Sequence, residues 1–288
     1  MTVSPAMTRS AGSLTVAYSF ENRCKRSADF ASYELANNPD QGSVLDAEGE
    51  ITSNAYAFAI SGNTAYIADA AANVLLSVGL DGSNLTPVAV LPKQTITNPI
   101  LPTLAPGEVL PSDEPPPAQV PQQIEIESVP TSVAIGSDGA LYVSEFTGFP
   151  FPVGDARIFR VEPDGETSVY ADGFTQLADL EFDAQGNLYA LQYAAEPEWK
   201  GDSDGSVIQI APNGTRTTLV SGNGIESATA LTVGPDGAIY ISNKGDRAGV
   251  GQVLRIETPE AVPEPTSALG VLAFGVLSVT SFLKRKRK

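Results

Sequence analysis

One segment recurs along this chain, and its recurrence limits what the chain can fold into. It is clearest as "GSDGALYVSEFTG", Gly136 to Gly148, and returns as "GPDGAIYISNKGD", Gly234 to Asp246. "DAQGNLYALQYAA" (Asp183 to Ala195) and, more weakly, "ISGNTAYIADAAA" (Ile60 to Ala72) repeat the same order of residues. Each begins with Asp, Asn or Gln beside Gly and continues as a β-branched and aromatic run. Glycine reaches positive φ without a Cβ penalty, and Asp or Asn hydrogen-bonds its own backbone, so each copy reads as strand, tight turn, strand. The anchoring tyrosines are Tyr66, Tyr142, Tyr189 and Tyr240, spaced 142 − 66 = 76, 189 − 142 = 47 and 240 − 189 = 51 residues apart.

A second unit follows each copy. It is "RIFRVEPDGETSVYAD" from Arg157, "SVIQIAPNGTRTTLVS" from Ser206, "QVLRIETPE" from Gln252 and "NVLLSVGLDGSNLTPVAV" from Asn73. One repeat is therefore four short strands. A period in the forties with four strands per unit is the mark of β-propeller blades. The expected fold class is all-β, with blades over Ile51 to Leu91, Ser128 to Phe174, Thr175 to Gly222 and Ile225 to Thr258. The last blade stops after its third strand. Propellers often close by lending such a blade an N-terminal strand, and the alternating "GSLTVAYSF" (Gly12 to Phe20) supplies a candidate over Ser13 to Phe20.

The 76-residue spacing has a simple source. Lys93 to Gln123 carries eight prolines, and removing its 31 residues leaves 76 − 31 = 45. Proline gives no ladder donor and favours extended polyproline conformation, so this segment reads as a loop grafted between two blades. At the N-terminus, Met1 to Ala28 is atypical: it contains "NRCKR" (Asn22 to Arg26) but no apolar core of the length an export signal needs. From Asp29, "DFASYELANNPDQ" predicts a short helix ended by Asn37, Asn38 and Pro39.

Charge and rare residues narrow the chemistry. The formal net charge is −17, and Lys284 to Lys288 contribute +5, so the rest carries −17 − 5 = −22. A body this acidic repels phosphate backbones, which argues against a nucleic-acid partner. With one cysteine, Cys24, and no histidine, there is no internal disulfide, no Ser-His-Asp or Cys-His nucleophile and little basis for a zinc site. No catalytic residue is nominated.

Aligning the tyrosine strands places Asp69, Glu145, Gln192 and Asn243 at one position, three residues past each tyrosine. Equivalent positions ring a propeller axis, so these four are expected at one end of the channel, with Asp179 of "LADLEF" facing the same channel. Hard oxygen donors suit Ca2+, with Glu145 and Asp69 as the metal-ligand candidates. The plainer alternative is that polar residues end these strands because they meet water. In "TGFPFPVG" (Thr147 to Gly154), Phe149 and Phe151 sit on a loop stiffened by Pro150 and Pro152, suited to an aromatic ligand or protein contact, or to plugging the blade edge. Trp199 lies in an acidic loop with Asp202 and Asp204.

The C-terminal stretch "AVPEPTSALGVLAFGVLSVTSFLKRKRK" joins a Val262-Pro263-Glu264-Pro265 motif, the apolar run Ala268 to Leu283 and a basic end. Sixteen residues make about 24 Å of helix, short of the roughly 20 residues that span a bilayer comfortably, and the basic end orients it positive-inside. This tail resembles the PEP-CTERM sorting signals of exported bacterial proteins. That implies recognition by an exosortase, a transient membrane anchor, and a destination at the cell surface or outside it. A permanent tail anchor is the alternative.

The body is similar to the ScyD/ScyE family, named from cyanobacterial gene clusters for the sheath pigment scytonemin. The resemblance rests on "ASYELANNPD" (Ala31 to Asp40), Ser128 to Val161 with "TGFPFPVG", "FTQLADLEFDAQGNLYAL" (Phe174 to Leu191) and "GAIYISNKGDRAGVGQVLRI" (Gly237 to Ile256). It implies an exported six-bladed propeller of the NHL/TolB-like type, of which about four blades are present here. A signal peptide and about two blades are accordingly expected to be missing from the N-terminal side. The resemblance implies an exported propeller and no particular reaction. Two functional readings stand: a binding or scaffold protein at the cell surface or in the matrix, linked to pigment biosynthesis, or, from the ring of oxygen donors, a divalent-metal-dependent, lactonase-like hydrolase using Glu145 and its ring partners. A non-functional truncated fragment is a third reading.

Overall fold

The computed structural model describes residues 13–18, 23–44, 49–102 and 121–258. Two short elements come first: a hairpin of β1 (Ser13–Tyr18) and β2 (Arg23–Asp29), then helix α1 (Phe30–Asn37). Asp29 caps the helix by accepting from the Ser32 amide at 3.1 Å, and Asn38 ends it in the left-handed region at φ 41°. The hairpin corrects one expectation: β1 pairs with β2 rather than completing the last blade. Their adjacency makes this local pairing cheaper in loop-closure entropy than a partner more than 200 residues away.

The propeller units are separate antiparallel sheets. Blade 1 is β3 (Ala55–Ser61), β4 (Thr64–Asp69), β5 (Val74–Gly79) and β6 (Thr86–Val90). The start of the proline-rich insertion, β7 (Gln94–Thr97), then pairs with β8 (Gln123–Ile126), which begins at the insertion's last residue. The insertion was expected to be a loop throughout, but its proline-free start forms a ladder with the strand that follows it. Blade 2 is β9 (Pro130–Ile135), β10 (Leu141–Glu145), β11 (Ala156–Val161) and β12 (Thr167–Phe174). Blade 3 is β13 (Leu177–Phe182), β14 (Leu188–Gln192), β15 (Asp204–Ile210) and β16 (Arg216–Glu226). Blade 4 has three strands, β17 (Ala230–Val233), β18 (Ile239–Asn243) and β19 (Gln252–Ile256).

This is a four-blade propeller arrangement, with first strands packed in the order β3, β9, β13, β17. The six-bladed type inferred from family resemblance is not what the sheets show. The tail residues 259–288, including the expected helix 268–283 and Val262 to Pro265, lie outside the described residues. Among the described residues no helix is long and apolar enough to cross a membrane.

The repeated motif has a physical cause. Gly139, Gly186 and Gly237 sit at φ 83°, 83° and 76°, where the turn before each tyrosine strand needs the left-handed region. The tyrosine then reaches back to that turn. Tyr142 Oη donates to Asp138 at 3.3 Å, Tyr189 Oη to Asp183 at 3.0 Å and Tyr240 Oη to Asp236 at 2.9 Å. The third strand closes the lock: Arg160, Gln209 and Arg255 each donate to the phenol oxygen, at 3.2, 3.2 and 3.1 Å. Blade 1, the weaker copy, has Ser77 opposite Tyr66 instead.

Each blade contributes one sheet face to a core shared with the next. Leu75, Ala68 and Tyr66 of blade 1 meet Val133, Val143 and Phe159 of blade 2. Tyr142 and Ile158 of blade 2 meet Leu180, Leu188 and Ala190 of blade 3. Tyr189, Leu191 and Val207 of blade 3 meet Leu231, Ile239 and Ile241 of blade 4. The outward face of β4 and β5 is covered by Ala28, Phe30 and Tyr33, so α1 and the residues before it stand where another blade would.

Candidate binding cleft

The four aligned strand-end residues turn into their own blades. Asp69 is fully buried and accepts from the Ser53 hydroxyl and from the amides of Asn54 (2.6 Å) and Ala72 (3.2 Å). Gln192 accepts from the Thr175 amide at 2.7 Å and donates to Ser206 Oγ at 2.8 Å. Asn243 accepts from the Glu226 amide at 2.8 Å and donates to the Gly224 carbonyl at 2.8 Å. Each holds the chain segment that leads into its blade's first strand. Position three after the tyrosine recurs because every blade needs that clasp.

Glu145 is the most heavily used of the four. Its carboxylate is 0% exposed and takes a two-pronged bond from Arg157, Nε to Oε2 and Nη2 to Oε1, both at 2.7 Å. The Arg157 amide (3.0 Å), Ser128 Oγ (3.0 Å) and Gln94 Nε2 (3.2 Å) complete the shell. Burial raises the pKa of both Glu145 and Asp69, opposed at Glu145 by Arg157 and at Asp69 by hydrogen bonds led by Ser53. A Ca2+ ion needs six to eight oxygens turned toward one point. These carboxylates are instead satisfied by donors of their own surroundings. Among the described residues no group of three or more His, Cys, Asp or Glu is placed to hold a metal ion. Glu145 and Asp69 do not fit the Ca2+ role.

Asp179 does reach the axis, but as a tie between blades. Oδ1 accepts from Ser132 Oγ of β9 at 2.7 Å and Oδ2 from the Leu231 amide of β17 at 2.8 Å. It thus joins the first strands of blades 2, 3 and 4. Burial raises its pKa, against the Ser132 and amide bonds. Beside it, the inner strands border an open pocket of about 500 Å³ lined by Phe58, Ser132, Asp179, Glu181, Phe182 and Leu231, among others.

The loop "TGFPFPVG" divides its residues by side. Phe149 and Phe151, expected as exposed contact rings, are half-buried and pack edge-on to each other at 6.0 Å between centroids. Phe151 continues to Phe146 at 5.9 Å, and Phe146 to Tyr193 at 5.7 Å, so the rings form a ladder toward blade 3. The intervening prolines face elsewhere. Pro150 and Pro152 line a separate cleft of about 300 Å³ with Ile96, Ile100, Val153 and Trp199. The Trp199 indole donates to the Pro150 carbonyl at 3.1 Å, which fixes its plane against the loop. Asp155, Glu196 and Lys200 supply charge among the same lining residues, and Lys200 Nζ lies 5.8 Å from the Trp199 ring centroid.

Three sequence-distant segments therefore converge: the start of the insertion, the proline-stiffened loop of blade 2 and the acidic loop of blade 3. Gln94 anchors the first to the second, donating to Glu145 and to the Asp155 carbonyl at 3.0 Å. Arg157 was missed from sequence, although its place two residues after Asp155 on an apolar strand was a signal. The role of Ile96 and Ile100 had no sequence signal beyond lying at the foot of the insertion.

No protein-family model matches the chain, and no curated protein matches it. Solved structures give distant likenesses. A gluconolactonase from Xanthomonas campestris is 13% identical with a TM-score of 0.44, over 68% of this chain and 55% of that one. A chain of the nidogen/laminin complex is 12% identical with a TM-score of 0.43, over 77% and 60%. A candidate gluconolactonase from a structural genomics programme is 19% identical with a TM-score of 0.39, over 69% and 61%. The chain thus spans 55–61% of the length of these three structures.

Proposed function

We propose that this chain is a non-catalytic binding propeller whose ligand seat is the Trp199 cleft, and that the ligand is a small planar, largely apolar molecule. The carrying observation is the lining: an indole held in place by the Pro150 carbonyl, flanked by Pro150, Pro152 and Ile96. Rigid rings of this kind lose little conformational entropy when a flat ligand stacks on them. A volume near 300 Å³ is at the small end for ligand sites and suits one or two fused rings. Asp155 and Lys200 would orient a single polar substituent. The hydrolase alternative receives no such support, because Glu145 is enclosed by five donor contacts.

The tail motif Val262 to Pro265 and its apolar run support export through an exosortase, with this propeller acting at the cell surface or in the matrix. A link to scytonemin biosynthesis rests on the family resemblance alone. Residues Val262 to Lys288 fused to a secreted reporter test the export reading: processing that depends on an exosortase supports it, and an unprocessed product refutes it.

Trp199 is the sole tryptophan, so its emission reports the cleft directly. With 4-nitrophenol as probe, saturable quenching is expected, and Ile100→Asp and Val153→Asp should abolish the saturation. Both residues are exposed, at 70% and 53%, so the fold tolerates the changes. Quenching that is linear in probe, or unchanged by both variants, would defeat the proposal.

A further inference from the structure

The Trp199 cleft has a polarity that narrows its ligand. Of its thirteen lining residues among those described, four are proline (Pro99, Pro150, Pro152 and Pro197), and proline offers a carbonyl but no N–H. The side-chain donors are largely committed. The Trp199 indole donates to the Pro150 carbonyl at 3.1 Å, and Lys200 Nζ lies 3.5 Å from the Glu196 carboxylate. Thr97 and Asn98 remain, and their side chains accept as readily as they donate. A lining rich in acceptors and poor in free donors suits a guest that brings its own N–H groups.

Charge points the same way. The described lining holds Asp155, Glu196 and Lys200, a surplus of one negative charge. Glu196 and Lys200 offset each other, which leaves the charge of Asp155. The Asp155 backbone carbonyl accepts from Gln94 at 3.0 Å, but among the described residues its carboxylate meets no donor. Asp155 is half-buried, so part of its hydration is already lost. The indole adds a second attraction, because the face of a tryptophan ring draws cations; Lys200 Nζ already lies 5.8 Å from the Trp199 centroid. Around the whole chain, a net charge of −17 concentrates cations and repels anions.

We infer that the guest of this cleft is a cation: a flat ring bearing a protonated amine, with the ring against Trp199 and the prolines and the ammonium donating to the Asp155 carboxylate. This rests on the cleft being the ligand seat, as proposed above, and adds the sign of the polar substituent. Three probes that share one ring and differ in charge test it: 4-nitrobenzylamine, protonated at pH 7, 4-nitrobenzyl alcohol and 4-nitrobenzoate. Each is titrated into the full-length chain at low ionic strength, and quenching of Trp199, the sole tryptophan, gives its Kd. The amine is expected to bind about tenfold tighter than the alcohol, and the benzoate weakest. Asp155→Asn keeps the side-chain shape and should cut the amine's advantage to about twofold. Glu50→Gln removes the same unit of charge from an exposed residue outside the cleft lining, and should keep the advantage. Equal affinity for amine and alcohol, or tightest binding of the benzoate, overturns the inference while the cleft stands as a ligand seat. An advantage that survives Asp155→Asn overturns it too, since the acidity of the whole chain would then be the cause. If none of the three probes saturates, the ligand seat itself fails and this inference with it.

Discussion

Replacing Arg157 with Met tests the reading of Glu145 as a structural clasp. Methionine matches the aliphatic stem but removes the guanidinium, whose carbon lies 4.7 Å from the Phe159 ring centroid. It removes both charged prongs at 2.7 Å and leaves the donors Ser128, Gln94 and the residue-157 amide. Stranding a buried charge by deleting its partner costs about 3–5 kcal/mol. Three surviving donors put the expected loss near the lower end, about 3–4 kcal/mol, or roughly 6–16 °C in Tm. Burial already lifts the Glu145 pKa while Arg157 opposes it, so the variant lifts it further. A carboxyl whose folded pKa exceeds its unfolded value adds stability in acid that disappears as pH rises through the folded value. The penalty should therefore shrink at pH 5 relative to pH 8 in urea unfolding. Adding Glu145→Gln should regain most of the loss at pH 8. A cost below about 1 kcal/mol, or one independent of pH, would refute the clasp.

Other expectations follow from particular contacts. Asp179 has a folded pKa raised by burial, so the stability it adds in acid is lost as pH rises from about 3.9 through that value; Asp179→Asn should flatten the slope in this window, measured by urea midpoints. The Tyr189 phenol is pushed up to about 12, chiefly by burial and also by Asp183. Ultraviolet titration should find it protonated when exposed tyrosines have ionised, and Tyr189→Phe should cost about 0.5–1.5 kcal/mol. A Cβ on Gly205 would meet the Gln192 carbonyl at 2.7 Å and Ile225 Cγ2 at 2.9 Å. Gly205→Ala should destabilise by about 1–3 kcal/mol, and an unchanged thermal midpoint would show that β15 shifts freely.

The blades were legible because their causes are local. A glycine at positive φ, the aspartate before it and a tyrosine a few residues on lie in one short stretch, and the lock among them is what repetition preserves. Helix α1 was legible for the same reason, through the Asn37, Asn38 and Pro39 that end it, while its Asp29 cap showed only in the structure. The site was harder. A polar residue at a strand end has the same pattern whether it faces an axis or turns back to hold a loop, and only the donors around Asp69, Glu145, Gln192 and Asn243 decide. Phe149 and Phe151 were conspicuous while Pro150 and Pro152 line the cleft, since alternation along the loop separates the two pairs. The β7–β8 ladder joins residues about thirty apart across a proline-rich stretch, and no local signal announces such a pairing.

That ladder also has a use in engineering. Gln94–Thr97 held against Gln123–Ile126 fixes the entry and exit of whatever lies between them at one spacing. Loop-closure entropy grows only as the logarithm of length, about 0.6 kcal/mol per doubling. A foreign domain spliced between residues 103 and 120 would hang from a paired stem rather than pull on blades 1 and 2. The position is therefore a port for a fluorescent reporter or an affinity module, carried on the same end of the propeller as the Trp199 cleft.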